Sequence, residues 1–264
     1  MTIAGSDSGG GAGIEADLKT FAAIGVYGTV ALTAVTAQNT VGVRAVHYLP
    51  PAMVRAQIEA VLEDIGSDAA KTGMLGEAAI VEAVAEVLSR ARLPYLVVDP
   101  VMVAKSGAPL LAPEAAAVLR GRLLPLATVV TPNVPELSQL TGRAIRNEEE
   151  LKEAAAALWQ STGVKYVLAK GGHLSGPEAV DWLYDGRNFL AFRRPRLAAR
   201  HTHGTGCTLA AALAAYLAKG LAITAAVEQA KELVSRAIAG AFALGRGCGP
   251  VNPLAVLGSA SLRG

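Results

Sequence analysis

Two cysteines among 264 residues, Cys207 and Cys248, cannot build a disulfide framework, and only four histidines accompany them, a usage that fits a reducing, cytoplasmic setting. No charge of one sign dominates: 24 basic against 22 acidic residues leave a formal charge of +2, too small for a nucleic-acid footprint. The alanine- and leucine-rich runs are broken by Glu, Lys or Arg before reaching the roughly 18 apolar residues of a membrane span, which argues against a membrane partner. The opening Met-Thr-Ile-Ala-Gly lacks a basic stretch followed by a long apolar run, so no signal peptide is expected. Two phosphate-binding signatures are also missing. The run Gly9-Gly10-Gly11-Ala12-Gly13 does not end in the Gly-Lys-Thr or Gly-Lys-Ser of a Walker A loop, and no Gly-x-Gly-x-x-Gly dinucleotide fingerprint sits at a strand-to-helix junction.

What remains is a chain that is 52% hydrophobic and long enough to bury about 70 to 75% of its unfolded surface, most simply as one α/β domain over residues 1–264. Residues 2–4 read as a strand running into a glycine loop and then a helix carrying Leu18, Phe21 and Ile24. A β-branched run over 30–37 and an edge strand or flap over 41–49 follow. Pro50-Pro51 opens a helix with Val54, Ile58, Val61, Leu62 and Ile65 at helical spacing. Strands over 69–72, 95–99, 128–131 and 166–170 alternate with helices over 77–92 and 113–122 and from 134 and 148. Residues 179–183 and 189–192 form a hairpin around Asp185-Gly186, and helices over 205–218 and 224–244 close the chain. Strands without alternation, interleaved with helices, predict a doubly wound, mostly parallel sheet covered on both faces, with a short flap or hairpin.

The strongest local signal is His203-Gly204-Thr205-Gly206-Cys207-Thr208, directly before an alanine-rich helix. The first helical turn offers backbone N–H groups without intrahelical partners, and two glycines let the chain approach a phosphate closely, which makes an anion hole. Read plainly, Gly-Thr-Gly is a turn with a threonine cap. Cys207 starts the same helix, where the dipole and nearby cations lower a thiol pKa and suit it to take a proton from an attacking hydroxyl; equally, it is a small buried hydrophobe. Asp99, Asn133 and Glu136 fall just beyond strand carboxyl ends, where an open sheet holds its ligand, and their oxygens suit Mg²⁺ held partly through water. Lys170-Gly171-Gly172-His173 can neutralise phosphate charge, or be a solvent-facing strand end.

These segments, together with Thr36-Ala37-Gln38-Asn39-Thr40, Lys71-Thr72-Gly73-Met74-Leu75 and Val98-Asp99-Pro100-Val101-Met102, occur in an order that resembles the hydroxymethylpyrimidine and hydroxymethylpyrimidine phosphate kinases of the ribokinase-like superfamily. The resemblance runs through nearly the whole chain. It implies a homodimer whose subunits use ATP and Mg²⁺ to phosphorylate the pyrimidine and then its monophosphate in thiamine biosynthesis. It places Asp17 and Gln38 near the pyrimidine, with Gly5, Met74 and Val101 walling the pocket. ATP phosphates and Mg²⁺ would lie near Asp99, Asn133, Glu136 and Lys170, and Gly204, Thr205, Gly206 and Cys207 would hold the transferred group. Related sugar and pyridoxal kinases usually carry aspartate where this chain has Cys207, which is the main distinction from a pyridoxal-type kinase; a non-catalytic pyrimidine-binding protein is the other alternative. Glu15 stands where relatives commonly carry glutamine, beside a phosphate-handling pocket, and Cys248 replaces a usually polar or glycine-like neighbour.

Overall fold

The computed structural model describes residues 1–104, 107 and 109–257. Its strands are β1 (Thr2–Ala4), β2 (Val30–Leu32), β3 (Ala34–Asn39), β4 (Gly42–Tyr48), β5 (Ala69–Thr72), β6 (Tyr95–Val98), β7 (Val129–Val130), β8 (Tyr166–Lys170), β9 (Glu178–Tyr184) and β10 (Phe189–Pro195). Eight of them form one sheet in the order β10-β9-β8-β7-β6-β5-β1-β2, and β3 and β4 pair apart from it. In the large sheet β2, β1, β5, β6, β7 and β8 run parallel to one another, β9 is antiparallel to both β8 and β10, and in the small sheet β3 and β4 are antiparallel.

The helices are α1 (Gly13–Ile24), α2 (Pro51–Asp64), α3 (Ala78–Arg90), α4 (Pro113–Val118), α5 (Val134–Thr141), α6 (Glu148–Thr162), α7 (Thr205–Ala218) and α8 (Ile223–Ala239). Successive strand residues point to opposite faces, and the core divides accordingly. Leu96, Val98, Val130 and Val167 join Ile58, Val84, Leu137 and Leu158 under α2 to α6. Val97, Val129 and Leu168 join Phe21, Leu213 and Val227 under α1, α7 and α8. Nine residues of α7 are buried, five of them between Ala210 and Ala215 being alanine, so it packs closely against the sheet and both neighbouring helices. This is the doubly wound architecture expected from the alternation of elements.

Several boundaries differ from the sequence reading. The run over 30–37 breaks at Thr33, whose N–H donates to Ala4 O and whose hydroxyl donates to Met74 O. Beyond that anchor, β3 leaves the sheet to pair with β4, making the flap. The expected helix over 113–122 holds α geometry only through Val118 and then widens to a π turn over Leu119–Leu123. The helix expected to reach residue 244 stops at Ala239: Gly240 ends it, and the following glycine-rich segment returns along the flap, with Cys248 N–H donating to Thr40 O and Val251 N–H to His203 O.

Candidate active site

Three strand-to-element junctions at the carboxyl edge of the sheet open into one cavity of about 720 Å³. The β1–α1 loop supplies Gly5, Ser6 and Asp7; the segment after β6 supplies Asp99, Val101 and Met102; and β8 ends in Lys170. The start of α7 forms the opposite wall, with Gly204, Thr205, Gly206 and Cys207 all facing the cavity. Of the residues read from sequence, Gln38, Met74, Asn133 and Glu136 line it as well.

Gly204 is the N-cap of α7 in the left-handed region, φ +83°, and no side chain caps the helix. The threonine-cap reading is therefore corrected: the Thr205 hydroxyl and N–H both donate backward to Thr202 O, at 2.7 and 3.4 Å, and the amides that follow at Gly206 and Cys207 are left to the cavity. A Cβ on Gly204 would fall 1.7 Å from Gly11 O, so the two glycine loops touch backbone to backbone here. Gly206 is different. A Cβ there would meet only Lys170 Nζ at 3.5 Å and Asp99 Oδ2 at 3.6 Å, which marks a hollow between anion-hole amides and a lysine. Gly206→Ala is expected to leave the melting temperature unchanged while its methyl fills that hollow and weakens nucleotide binding by about tenfold or more; a thermal melt checks the first and calorimetric titration with nucleotide the second.

Lys170 Nζ lies 3.1 Å from Asp99 Oδ1 and 4.0 Å from Glu136 Oε2. Burial works against its charge, but the two carboxylates outweigh it and hold its pKa above the ordinary value. The solvent-facing alternative for Lys170 is thereby excluded. Asp99 Oδ1 also accepts from the Thr131 hydroxyl at 3.0 Å. Asn133 and Glu136 form a reciprocal capping box at the start of α5, each side chain accepting from the other's N–H. Asn133 Oδ1 thus serves as the cap of α5, with a second lone pair outside that bond. Among the described residues no three His, Cys, Asp or Glu side chains converge as a metal cage. Mg²⁺ needs none, because it keeps several waters and is usually bound by one or two carboxylates plus substrate phosphates. Asp99 Oδ2 and Glu136 Oε1, the oxygens outside the bonds just described, fit that mode.

Burial raises Glu136 to about 7, against the pull of Lys170 and with Asp99 adding to the rise. The folded protein thus holds a proton over a range in which the unfolded chain, near 4.5, has released it. Stability of the ligand-free protein should fall as pH rises from about 4.5 to about 7 and flatten above, and Glu136→Gln should remove that slope in thermal melts across the range.

Cys207 corrects the expectation of a lowered thiol pKa. Burial raises it to about 11, and Lys71 only partly offsets this. The group stays a thiol at neutral pH, a hydrogen-bonding and shape element more than a proton acceptor. Asp17 also departs from expectation. It is fully buried on α1, its carboxylate 2.8 Å from Lys71 Nζ and 2.6 Å from the Thr2 hydroxyl, and it lies behind the wall instead of facing the cavity. Its partner Lys71 borders the cavity. Burial opposes the Lys71 charge, but the Asp17 and Asp99 carboxylates more than compensate, so the ammonium persists. Glu15 turns from the cavity to accept the Asp7 N–H at 2.8 Å. Cys248 accepts from Thr202 N–H at 3.4 Å, beside the anion loop.

Sequence reasoning missed Lys71, Asp7 and His203. Lys71 had a signal, since a lysine inside a short strand of an all-covered parallel sheet demands a partner. Asp7, two residues before a glycine run, had the weaker signal of a turn residue whose side chain bonds local amides.

A family model described as phosphomethylpyrimidine kinase matches residues 7–252, from the first glycine loop to the strap beyond α8. The chain belongs to the phosphomethylpyrimidine kinase family. This kinase is 55% identical over 252 residues to the hydroxymethylpyrimidine/phosphomethylpyrimidine kinase of Streptomyces coelicolor, covering 96% of this chain and 93% of that protein. It is 52% identical to the thiamine biosynthesis bifunctional protein ThiED of Geobacter sulfurreducens, covering 96% of this chain but only 51% of that protein, so it spans about half of that longer relative. In backbone shape it is similar to a Bacillus subtilis pyridoxal kinase solved as an ADP complex, with TM-score 0.90, 42% identity and 97% of each chain covered. Among the described residues of this kinase, no helix is long and apolar enough to cross a membrane.

Proposed function

We propose that this kinase moves the γ-phosphate of ATP onto 4-amino-5-hydroxymethyl-2-methylpyrimidine and then onto the resulting monophosphate, acting as one domain over residues 1–264. The observation that carries the reading is a single cavity in which the uncapped start of α7 faces Lys170 and Asp99, with Gln38 and Met74 on the same wall system. Amides fixed in place need not reorient as charge redistributes on a transferring phosphoryl group, and the adjacent lysine adds full charge. Gln38 offers both a donor and an acceptor to an aminopyrimidine edge, and Met74 with Val101 supplies the apolar contact for its ring. Cys207, protonated, orients the attacking hydroxyl; a loose phosphoryl transition state makes little demand for a strong base. Asp99 and Glu136 would hold Mg²⁺, which when bound neutralises phosphate charge.

The pyridoxal kinase likeness makes shape a poor judge of substrate, because the same backbone serves both rings. The test is ADP release with Mg-ATP and a side-by-side panel. Turnover is expected with hydroxymethylpyrimidine and its phosphate and to be far lower with pyridoxal, ribose or adenosine; preference for pyridoxal reverses the substrate assignment, and ligand-induced stabilisation without turnover supports a binding protein.

The flap supports a homodimer. Val35 on β3 and Val41 in the turn between β3 and β4 are 46% and 60% exposed, and among the described residues the two-stranded sheet pairs with no further strand. Light scattering in solution should give twice the 27.0 kDa subunit mass.

A further inference from the structure

The β1–α1 loop and the anion loop come from opposite ends of the chain, and one carboxylate joins them. Asp7 is 2% exposed. Its Oδ1 accepts from Gly9 N–H at 2.8 Å, and its Oδ2 accepts from Gly11 N–H at 3.1 Å and Ala12 N–H at 2.9 Å. Oδ2 also lies 2.7 Å from His203 Nε2. His203 is the residue immediately before Gly204, and its main chain is fixed on both sides by Gly249 O and Val251 N. The loops are packed so tightly that a Cβ on Gly11 would sit 2.5 Å from His203 Cδ2.

The same imidazole meets the cavity. Gln38 Nε2 lies 3.3 Å from His203 Nε2. A carboxylate can only accept, so the shared hydrogen is on Nε2, and a carboxamide can meet that N–H only with its oxygen. Turning the Gln38 amide over removes the clash of two donors: its oxygen then shares, as a longer second acceptor, the one hydrogen that Nε2 gives to Asp7, and its NH₂ turns toward the cavity. We propose that Asp7 and His203 form a positioning clasp that sets the spacing of the two glycine loops and presents Gln38 to the substrate ring as a hydrogen-bond donor. The substrate recognised this way offers an acceptor, such as a ring nitrogen, at that edge. This part of the inference rests on the pyrimidine reading of the cavity; the loop-spacing part does not.

His203→Ala removes the donor, His203→Gln restores an N–H at the position of Nε2, and Asp7→Asn leaves one acceptor for several donors. In ligand-free protein, His203→Ala is expected to speed amide exchange at Gly9, Gly11 and Ala12 by about tenfold, the effect of one lost hydrogen bond to a charged group. With hydroxymethylpyrimidine, it should raise KM for the pyrimidine and lower kcat, each about tenfold, while KM for ATP stays within about twofold. His203→Gln should bring both readouts back to within about threefold of the parent, and adding His203→Ala to Asp7→Asn should cost little more than Asp7→Asn alone. If the alanine variant does not fold, His203→Asn, whose amide stops short of Asp7, replaces it. Unchanged exchange in His203→Ala, equal damage from His203→Gln, or additivity of the two substitutions overturns the clasp. Absence of turnover by the parent protein on hydroxymethylpyrimidine overturns the substrate reading instead, and the exchange measurement still decides the clasp.

Discussion

Lys170→Met is expected to lower kcat by roughly 10² to 10³, the loss seen when one preorganised donor to a developing charge is removed. Lys170 is held for this task before any ligand arrives. Asp99 at 3.1 Å and Glu136 at 4.0 Å fix its ammonium beside the Gly206 hollow, and its burial strengthens the field it exerts there. Methionine keeps the length and apolar stem, so packing is preserved while the charge is lost. Glu136, already raised to about 7 by burial, takes up a proton readily once the lysine is gone, which limits the cost to folding. The result should thus be a kinetic defect with a melting temperature within a few degrees of the parent. Cys207→Ser makes the informative contrast. A thiol raised to about 11 does not serve as the base, so serine should cost no more than about tenfold, within the range of a lost or altered hydrogen bond. A Cys207→Ser defect as large as that of Lys170→Met would show that the thiol does take the proton.

Lys71→Met should unfold the protein far more easily, by about 3–5 kcal/mol, because it leaves Asp17 as an uncompensated buried charge. Both side chains are 0% exposed, and among the described residues the Thr2 hydroxyl is the one further side-chain partner of Asp17. Replacing both ions by apolar groups of similar size is often neutral, so Lys71→Met with Asp17→Leu should recover most of that loss in urea unfolding. Recovery of stability without recovery of turnover would separate the two duties of Lys71, since it is the cation that borders the cavity and acts on Cys207. Failure of the double variant to recover would mean that Thr2 and the surrounding strand ends need a charged partner to pack.

How much of this was legible in the residues depended on range. The order of strands and helices followed from apolar runs and their breakers, and the anion hole followed from Gly204 and Gly206 at a helix start, because the consequence of a glycine there is local. The flap was legible as a strand, but not the departure of β3 at Thr33, which is caused by bonds to Ala4 and Met74 that lie far along the chain. The end of α8 failed for a similar reason. Apolar residues 241–244 continue the helical pattern, whereas backbone bonds to Pro250 and Asn252 favour the strap that returns to Thr40.

Among site residues, spacing alone could say that Asp99, Asn133, Glu136 and Lys170 end strands or begin helices, and so share one edge of the sheet. Sequence by itself determined the layered fold, that shared edge and the glycine-rich start of α7, whose amides the structure leaves without a side-chain cap. Only the tertiary structure decided how each charge is used: Asp17 turned inward to Lys71, Asn133 and Glu136 engaged as a cap, Cys207 kept protonated, and Asp7 tied to His203 across 196 residues. The physical reason is that secondary structure and amide polarity depend on neighbours in sequence, whereas a pKa, an ion pair or a donor's direction depends on burial and on partners that only folding brings within a few ångströms.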